Sequence, residues 1–268
     1  MADPSGPSWV IARRAVWALV ERELIRLVRQ PARLVVTIGT PALLWLVVGS
    51  GLGDRVLLSG EAVEDDLQIG GHAALLPGAI LLMVIFGTVF AAIAQLQDRE
   101  NGLLQAEAVT PAPRWASEIA KVIAGSVSAM VQAAALLILA AGMRVPMSFG
   151  GFVIGVMIAG IAAVFIVGLG LLVARRTGSV ASFHSIANIT LAPMWLLSGA
   201  LFPVGTADAW LAFFMRINPM HWAGNTLAWA LSAGPAAPIS LLLLLASSAT
   251  ILTLLIRTSG RPRPQGTM

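Results

Sequence analysis

The 268-residue sequence contains no cysteine, no tyrosine and only one lysine, and it has few charged residues of either sign. The missing cysteines exclude disulfides and thiolate metal sites. Charged residues make up 11% of the chain and hydrophobic residues 57%, whereas soluble domains carry about 25% charged residues. A soluble core of this length cannot enclose so much apolar surface, so lipid must be the solvent for much of the chain.

Six long apolar runs account for this composition. Each is close to the ~20 residues that a helix needs to cross ~30 Å of hydrocarbon, and none shows the short alternating pattern of barrel strands. Because a backbone inside the bilayer must satisfy its own hydrogen bonds, we expect an all-α, polytopic membrane protein with six transmembrane helices. The runs are Leu34–Gly53, Leu75–Leu96, Ile119–Gly142, Gly150–Ala174, Ser182–Phe202 and Ala236–Ile256.

The basic residues are distributed unevenly along these six runs. If the N-terminus is cytoplasmic, 14 of the 17 lysine and arginine residues fall on the cytoplasmic side and 3 fall outside. This asymmetry follows the positive-inside rule. It predicts a multi-pass protein of the cytoplasmic (inner) membrane with both termini in the cytoplasm.

The flanking segments complete the predicted organisation. Residues 1–8 are small and turn-forming and are expected to be disordered, and residues 9–33 form an amphipathic interface helix with an arginine face suited to anionic lipids. Residues 34–256 form the six-helix transmembrane domain, and 257–268 a basic cytoplasmic tail. The segment Pro203–Gly234 is too apolar for an exposed loop, so we expect short re-entrant outer helices before the last crossing.

Motifs for catalysis are missing from the sequence. It has no phosphate-binding loop, and we predict no catalytic, cofactor or metal site and no enzyme activity of its own. Polar residues within the apolar runs are candidates for the wall of a translocation path: Gln132, His184, Asn188 and Trp195. The alternative reading of these residues is hydrogen bonding between helices. No acidic residue lies within a run, which weighs against a proton-coupled transporter.

Four stretches, in order, resemble the permease subunit of type 2 ABC exporters, the family that exports drugs, lipids and polysaccharides. Leu19–Gly53 is similar to the family's start, and Leu75–Ala91 to its second crossing. Gln97–Trp115, with an acidic–Arg–Glu–x–Gly core, resembles its cytoplasmic loop. Ile217–Leu227 resembles the Asn–Pro element before the last crossing.

The resemblance implies a division of labour among several chains. The expected partners are a separate ATP-binding subunit, a second permease copy (the same chain or a paralogue) and membrane lipids, with no nucleic acid. The cargo is expected to be hydrophobic or amphipathic: drug-like, lipid or glycan. The resemblance also implies that the N-terminal helix and the first inner loop couple to the ATPase, through Arg22, Arg26, Arg29, Asp98, Arg99, Glu100 and Gly102.

Two other classes of function remain open on the sequence. The chain could be an autonomous secondary transporter or channel, or a membrane scaffold without transport of its own. An ATPase that co-purifies with the chain separates the first reading from both, and gradient-driven flux through the isolated chain supports the second.

Overall fold

The computed structural model describes a helical protein over most of its length. The described residues are 8–52, 71–103, 113, 115–200, 204–232 and 238–259, so residues 1–7 of the predicted disordered segment and most of the first inner loop lie outside them. This part of the chain is all helical, with nine α-helices, one 3₁₀ turn at Val204–Thr206, and no strand. The helices are α1 (Ser8–Val28), α2 (Pro31–Leu52), α3 (Gly71–Glu100), α4 (Ala116–Gly142), α5 (Phe149–Arg176), α6 (Val180–Leu196), α7 (Ala209–Arg216), α8 (Pro219–Ser232) and α9 (Pro238–Ser259).

Five of the described helices are long and apolar enough to cross a membrane, namely α2, α3, α4, α5 and α9. They coincide with five of the six predicted runs. The remaining run, Ser182–Phe202, overlaps α6, which has 17 residues and ends at Leu196, before the apolar run does. Gly199 follows with φ 86°, a left-handed conformation that glycine adopts without strain and that turns the chain.

A break between α1 and α2 divides the predicted interface helix. α1 ends at Val28, and Pro31 begins α2, where its missing N–H leaves no helical hydrogen bond unmade. The helix predicted over 9–33 is therefore shorter, and its last arginine, Arg33, belongs to α2. The Arg33 guanidinium lies 5.1 Å from the centre of the Phe90 ring.

The centre of the bundle is formed by α3 and α5. In the most apolar stretch of each helix, 67% of the residues of α3 and 61% of those of α5 are buried, whereas only 22% are buried in α2 and in α9. Small residues let neighbours approach α5 closely: a Cβ at Gly168 would overlap Ile251 of α9, and one at Gly170 would overlap Thr88 of α3. The peripheral helices α2 and α9 are left with wide apolar faces for lipid or another chain.

Helices α2 to α5 alternate in direction and α9 runs the same way as α5, so the bundle has two distinct ends. One end, called here the arginine end, holds the start of α4 and the last turns of α3, α5 and α9, together with α1; side-chain contacts join all of them. The opposite end holds α7, α8 and the start of α9, where Asn225 donates to Ser240 at 3.1 Å.

Candidate functional site

A buried ionic cluster at the arginine end joins α1 to the bundle. Its centre is Lys121, the only lysine of the chain, whose side chain is 2% exposed. The Lys121 Nζ lies 2.6 Å from Asp98 Oδ2 of α3 and 2.7 Å from Glu23 Oε1 of α1. Two carboxylates compensate the buried ammonium, and charge-assisted hydrogen bonds of this length are strong. Three helices therefore meet at one side chain.

Two arginines of α1 complete what we call the α1 cluster: Arg22, Glu23, Arg26, Asp98 and Lys121. Arg26 Nη1 donates to Asp98 Oδ1 at 2.9 Å, and Arg22 Nη2 lies 2.9 Å from Glu23 Oε1. Burial by itself would raise the pKa of Glu23, but the charges of Lys121 and Arg22 outweigh it and hold that pKa below its ordinary value. Glu23 is therefore ionised at neutral pH and holds α1 in place.

The predicted coupling residues separate into two groups. Arg22, Arg26 and Asp98 belong to the α1 cluster, where Asp98 is 4% exposed, whereas Arg29, Arg99 and Glu100 are exposed. Gly102 has φ 71° and turns the chain out of α3, a left-handed conformation that glycine adopts without strain. Consecutive residues of α3 thus face opposite ways, Asp98 into the protein and Arg99 and Glu100 out of it.

Sequence reasoning missed Lys121 and Glu23 as members of this site. They lie 98 positions apart, so no local pattern connects them. A usable signal was present nonetheless, because charged groups at the membrane edges of different apolar runs must find partners when they are buried.

A second cluster lies on the other side of the first turns of α4. It consists of Glu118, Arg175, Thr258 and Ser259, and we call it the α9 cluster. Arg175 Nε donates to Glu118 Oε1 at 2.6 Å, and its Nη2 forms an ion pair with Oε2 of the same carboxylate. The guanidinium also donates to the hydroxyls of Thr258 and Ser259. Helix α9 extends to Ser259 and so includes the first three residues of the predicted tail, 257–259.

Comparison with known proteins identifies the family. The sequence model of the ABC-2 type transporter family matches residues 14–231. The chain belongs to that family. No curated protein gives a significant match. The matched region contains the whole α1 cluster and places the chain among the permeases of ABC transporters, which are membrane components of transport and not themselves catalytic.

The four residues predicted for a translocation path lie in different surroundings within the permease. Gln132 is 2% exposed inside the bundle, where its Nε2 donates to Ser128 Oγ at 2.7 Å. His184 and Asn188 are exposed on α6. Trp195 is half-buried and donates from Nε1 to the Gly78 carbonyl at 2.9 Å. The structure therefore brings His184 and Asn188 to one surface and leaves Gln132 apart from it.

At the opposite end of the permease, Asn218 connects α6 to α8. Its Oδ1 accepts from the Met220 amide at 3.0 Å, and its Nδ2 donates to the Met194 carbonyl at 2.6 Å. Pro219 follows as the first residue of α8, a common pairing at helix starts. This geometry explains the Asn–Pro element seen in the sequence: one side chain caps a helix and satisfies a carbonyl at the end of another.

Two further side chains bind backbone carbonyls at this end. Trp222 Nε1 donates to the Arg216 carbonyl at 2.7 Å, which joins α7 to α8. His221 Nδ1 lies 3.2 Å from the Ser198 carbonyl. Burial lowers the pKa of His221, and nearby Arg216 acts in the same direction. The opposite end is therefore held by neutral groups.

Proposed function

We propose that this chain is the permease subunit of an ATP-driven exporter. It would move a hydrophobic or amphipathic substrate, drug-like, lipid or glycan, across the cytoplasmic membrane, with energy from a separate ATPase subunit. The family of the chain supports the permease role. The direction of transport, the class of cargo and the ATPase are the parts that we add.

One observation carries the proposal: the end of α3 has an outward face and an inward face within three residues. Arg99 and Glu100 are exposed and available to a partner, while Asp98 is bonded to Lys121 and Arg26. A displacement of the exposed Arg99 and Glu100 by a partner therefore moves the end of α3, and the ion pairs of Asp98 transmit that movement to α1 and α4. Chains of packed side chains and ion pairs of this kind carry energetic coupling between distant sites.

The proposed placement in the membrane puts the arginine end in the cytoplasm. Helix α6 and residues 197–200 would form the fifth of the six crossings, and α7 and α8 would dip into the outer leaflet. Exposed aromatic side chains on α7 suit that position, since Trp210 is 64% and Phe213 60% exposed and aromatic residues favour the membrane interface. The exposed face of α1 carries Trp17 and Val28, each 71% exposed, as an interface helix requires.

A second permease would cover the polar face of α6. An exposed imidazole and amide are costly in contact with lipid, and His184 and Asn188 lie beside Ile186 and Ile189, which are 43% and 78% exposed. A face of mixed polarity, shared by two copies, suits an amphipathic cargo. We propose that His184 and Asn188 line the path, with Trp195 at its end, and that Gln132 supports the bundle.

The experiment is reconstitution of the chain with its co-purified ATPase in lipid vesicles. We expect the R99E/E100R variant to insert and assemble normally. Its permease-dependent stimulation of ATP hydrolysis should be about tenfold lower, a usual size for coupling between sites. Arg99→Gln is measured beside it, because Arg99 Nη1 also donates to the Thr177 carbonyl at 3.3 Å. The matched control is Arg144→Glu, which reverses an exposed charge at the opposite end.

The possible outcomes separate the candidate functions. Normal stimulation in R99E/E100R contradicts the role of the α3 end. A chain that purifies without any ATPase and carries cargo down an ion gradient by itself contradicts the proposed function and favours an autonomous secondary transporter or channel.

A further inference from the structure

The α9 cluster has no part in the coupling route proposed above, although it lies only one helical turn away from it. Glu118 and Lys121 are three positions apart at the start of α4, and they point to different neighbours: Lys121 to α1 and α3, Glu118 to α5 and α9. The first inner loop, predicted from Gln97 to about Glu118, begins within the end of α3 and finishes within the start of α4. Each of its two ends is therefore anchored by a buried carboxylate, in a different cluster.

Arg175 holds α9 through several contacts at once. Its Nη2 donates to Ser259 Oγ at 2.6 Å and to the Leu255 carbonyl at 3.2 Å, and its Nη1 donates to Thr258. Ser259 in turn donates to Glu118 Oε2 at 2.9 Å. The contacts close a ring through α4, α5 and α9, so α9 cannot shift along α5 without breaking charge-assisted hydrogen bonds.

Close packing farther along the helices keeps α9 beside α5. A Cβ at Gly168 would overlap Ile251, and Ser248 Oγ donates to the Ile161 carbonyl at 3.3 Å. Arg175 lies at the end of this same interface. This packing holds α9 beside α5 but includes no contact with Glu118. The hydroxyls of Thr258 and Ser259 are the side-chain groups that tie the end of α9 to Arg175 and Glu118.

We infer that movement at the start of α4 is passed on by two routes: Glu118 and Arg175 carry it to α9, in parallel with the route through Lys121 to α1. Arg175, Thr258 and Ser259 are positioning residues that act through α9 and do not touch cargo or nucleotide. The inference rests on the proposed function, because the movement originates in the ATPase. It assigns a role to residues beyond the matched range, since Thr258 and Ser259 follow residue 231.

The test uses the absence of cysteine from the chain. A single cysteine at Trp17 reports on α1 and one at Ile256 reports on α9; these side chains are 71% and 44% exposed. Each variant carries a spin label and is assembled with the ATPase in vesicles, and the label spectrum is recorded with and without a non-hydrolysable ATP analogue. In the otherwise unaltered chain, both labels are expected to respond.

The decisive variant is T258V/S259A, which removes the hydroxyl contacts of α9 and leaves the Glu118–Arg175 ion pair in place. The response at position 256 is expected to fall several-fold, because only the Arg175 bond to the Leu255 carbonyl is left there, while the response at position 17 is retained. The matched control is T250V/T253V, whose hydroxyls bond only within α9, to the carbonyls of Ala246 and Ala249; both responses should persist there.

Each other result overturns the inference. Undiminished responses at both positions in T258V/S259A mean that α9 moves without these contacts, and loss at both means that the contacts support the whole assembly. If neither label responds in the unaltered chain, the proposed function fails and the inference fails with it. Should T258V/S259A not assemble, Glu118→Gln, which removes the charge but keeps an amide oxygen, takes its place under the same criteria.

Discussion

The two ends of the bundle solve the same problem with different chemistry. Both must hold short or terminal helices against the long ones. At the arginine end, Lys121 and Arg175 bind carboxylates in buried ion pairs. At the opposite end, Asn218 and Trp222 donate neutral hydrogen bonds to backbone carbonyls.

The difference follows from what each kind of contact can do. A neutral side chain that caps a helix forms hydrogen bonds with backbone groups that would otherwise have no partner. Only one orientation of the side chain makes these bonds well. A buried ion pair is strongly destabilised when one partner is removed but adds little net stability as a pair. The contacts at the opposite end therefore serve mainly stability. The ion pairs at the arginine end fix one arrangement of the helices, and displacement of one charged partner destabilises that arrangement.

The largest expected effect comes from Lys121→Met. The variant leaves Asp98 and Glu23 buried without their shared ammonium, so we expect the free energy of unfolding in lipid–detergent micelles to fall by about 3–5 kcal/mol. Arg14→Met, at an exposed position of α1, should change it by less than about 0.5 kcal/mol. Equal effects from the two variants would mean that the α1 cluster is not a buried ionic site.

A smaller effect, with a defined pH dependence, is expected from Glu23→Gln. At neutral pH the free energy of unfolding of the variant should be about 2 kcal/mol lower than that of the unaltered protein, the usual contribution of a hydrogen bond to a charged group. Because the pKa of Glu23 is lowered in the folded chain, this contribution is complete above the unfolded value of about 4.3 and is lost as the pH falls through the lower folded value. Unfolding measured from neutral pH downward should show the two proteins converging at the acid end, and a constant gap would contradict the assignment.

Asn218→Ala tests the neutral end and should cost about 1 kcal/mol, as the loss of a helix cap usually does. Asn225→Ala provides the comparison, since Asn225 is exposed and makes a single side-chain contact to Ser240. Its loss should be smaller. Unlike the loss caused by Glu23→Gln, the loss of unfolding free energy in either asparagine variant should not change with pH below neutrality. Unfolding measured at two pH values checks this.

The smallest effect is expected from Trp222→Phe. It removes the Nε1 donor of a solvent-exposed hydrogen bond to the Arg216 carbonyl at 2.7 Å and should lower the free energy of unfolding by about 0.5 kcal/mol. Trp210→Phe, at a position that is 64% exposed, is the control. A loss comparable to that of Lys121→Met would erase the contrast between the two ends.

The sequence predicted the long helices well because their signal is local. Five apolar runs reappear as helices of spanning length, and Pro31 begins a helix where proline is favoured. The run Ser182–Phe202 is matched by a helix only in part, because hydropathy ignores backbone geometry. Helix α6 ends at Leu196, and Gly199 then turns the chain with φ 86°, so the count of six crossings stays a prediction.

The site was less predictable because its contacts are remote in sequence. The arginine stripe of α1 indicated a basic face but did not reveal that Arg26 faces Asp98 across 72 positions. Asp98, Arg99 and Glu100 were treated as one surface, since nothing in three consecutive letters tells which side chain turns inward. Only the packing of α3 against α4 determines that.

Lys121 has a practical consequence for chemistry on this protein. Its amine is the only one on any side chain, and it is shielded between Glu23 and Asp98. Acylating reagents added to the folded protein should therefore react with Lys121 only when α1 separates from the bundle. The acylation rate of Lys121 then measures how often α1 separates, without any engineered label.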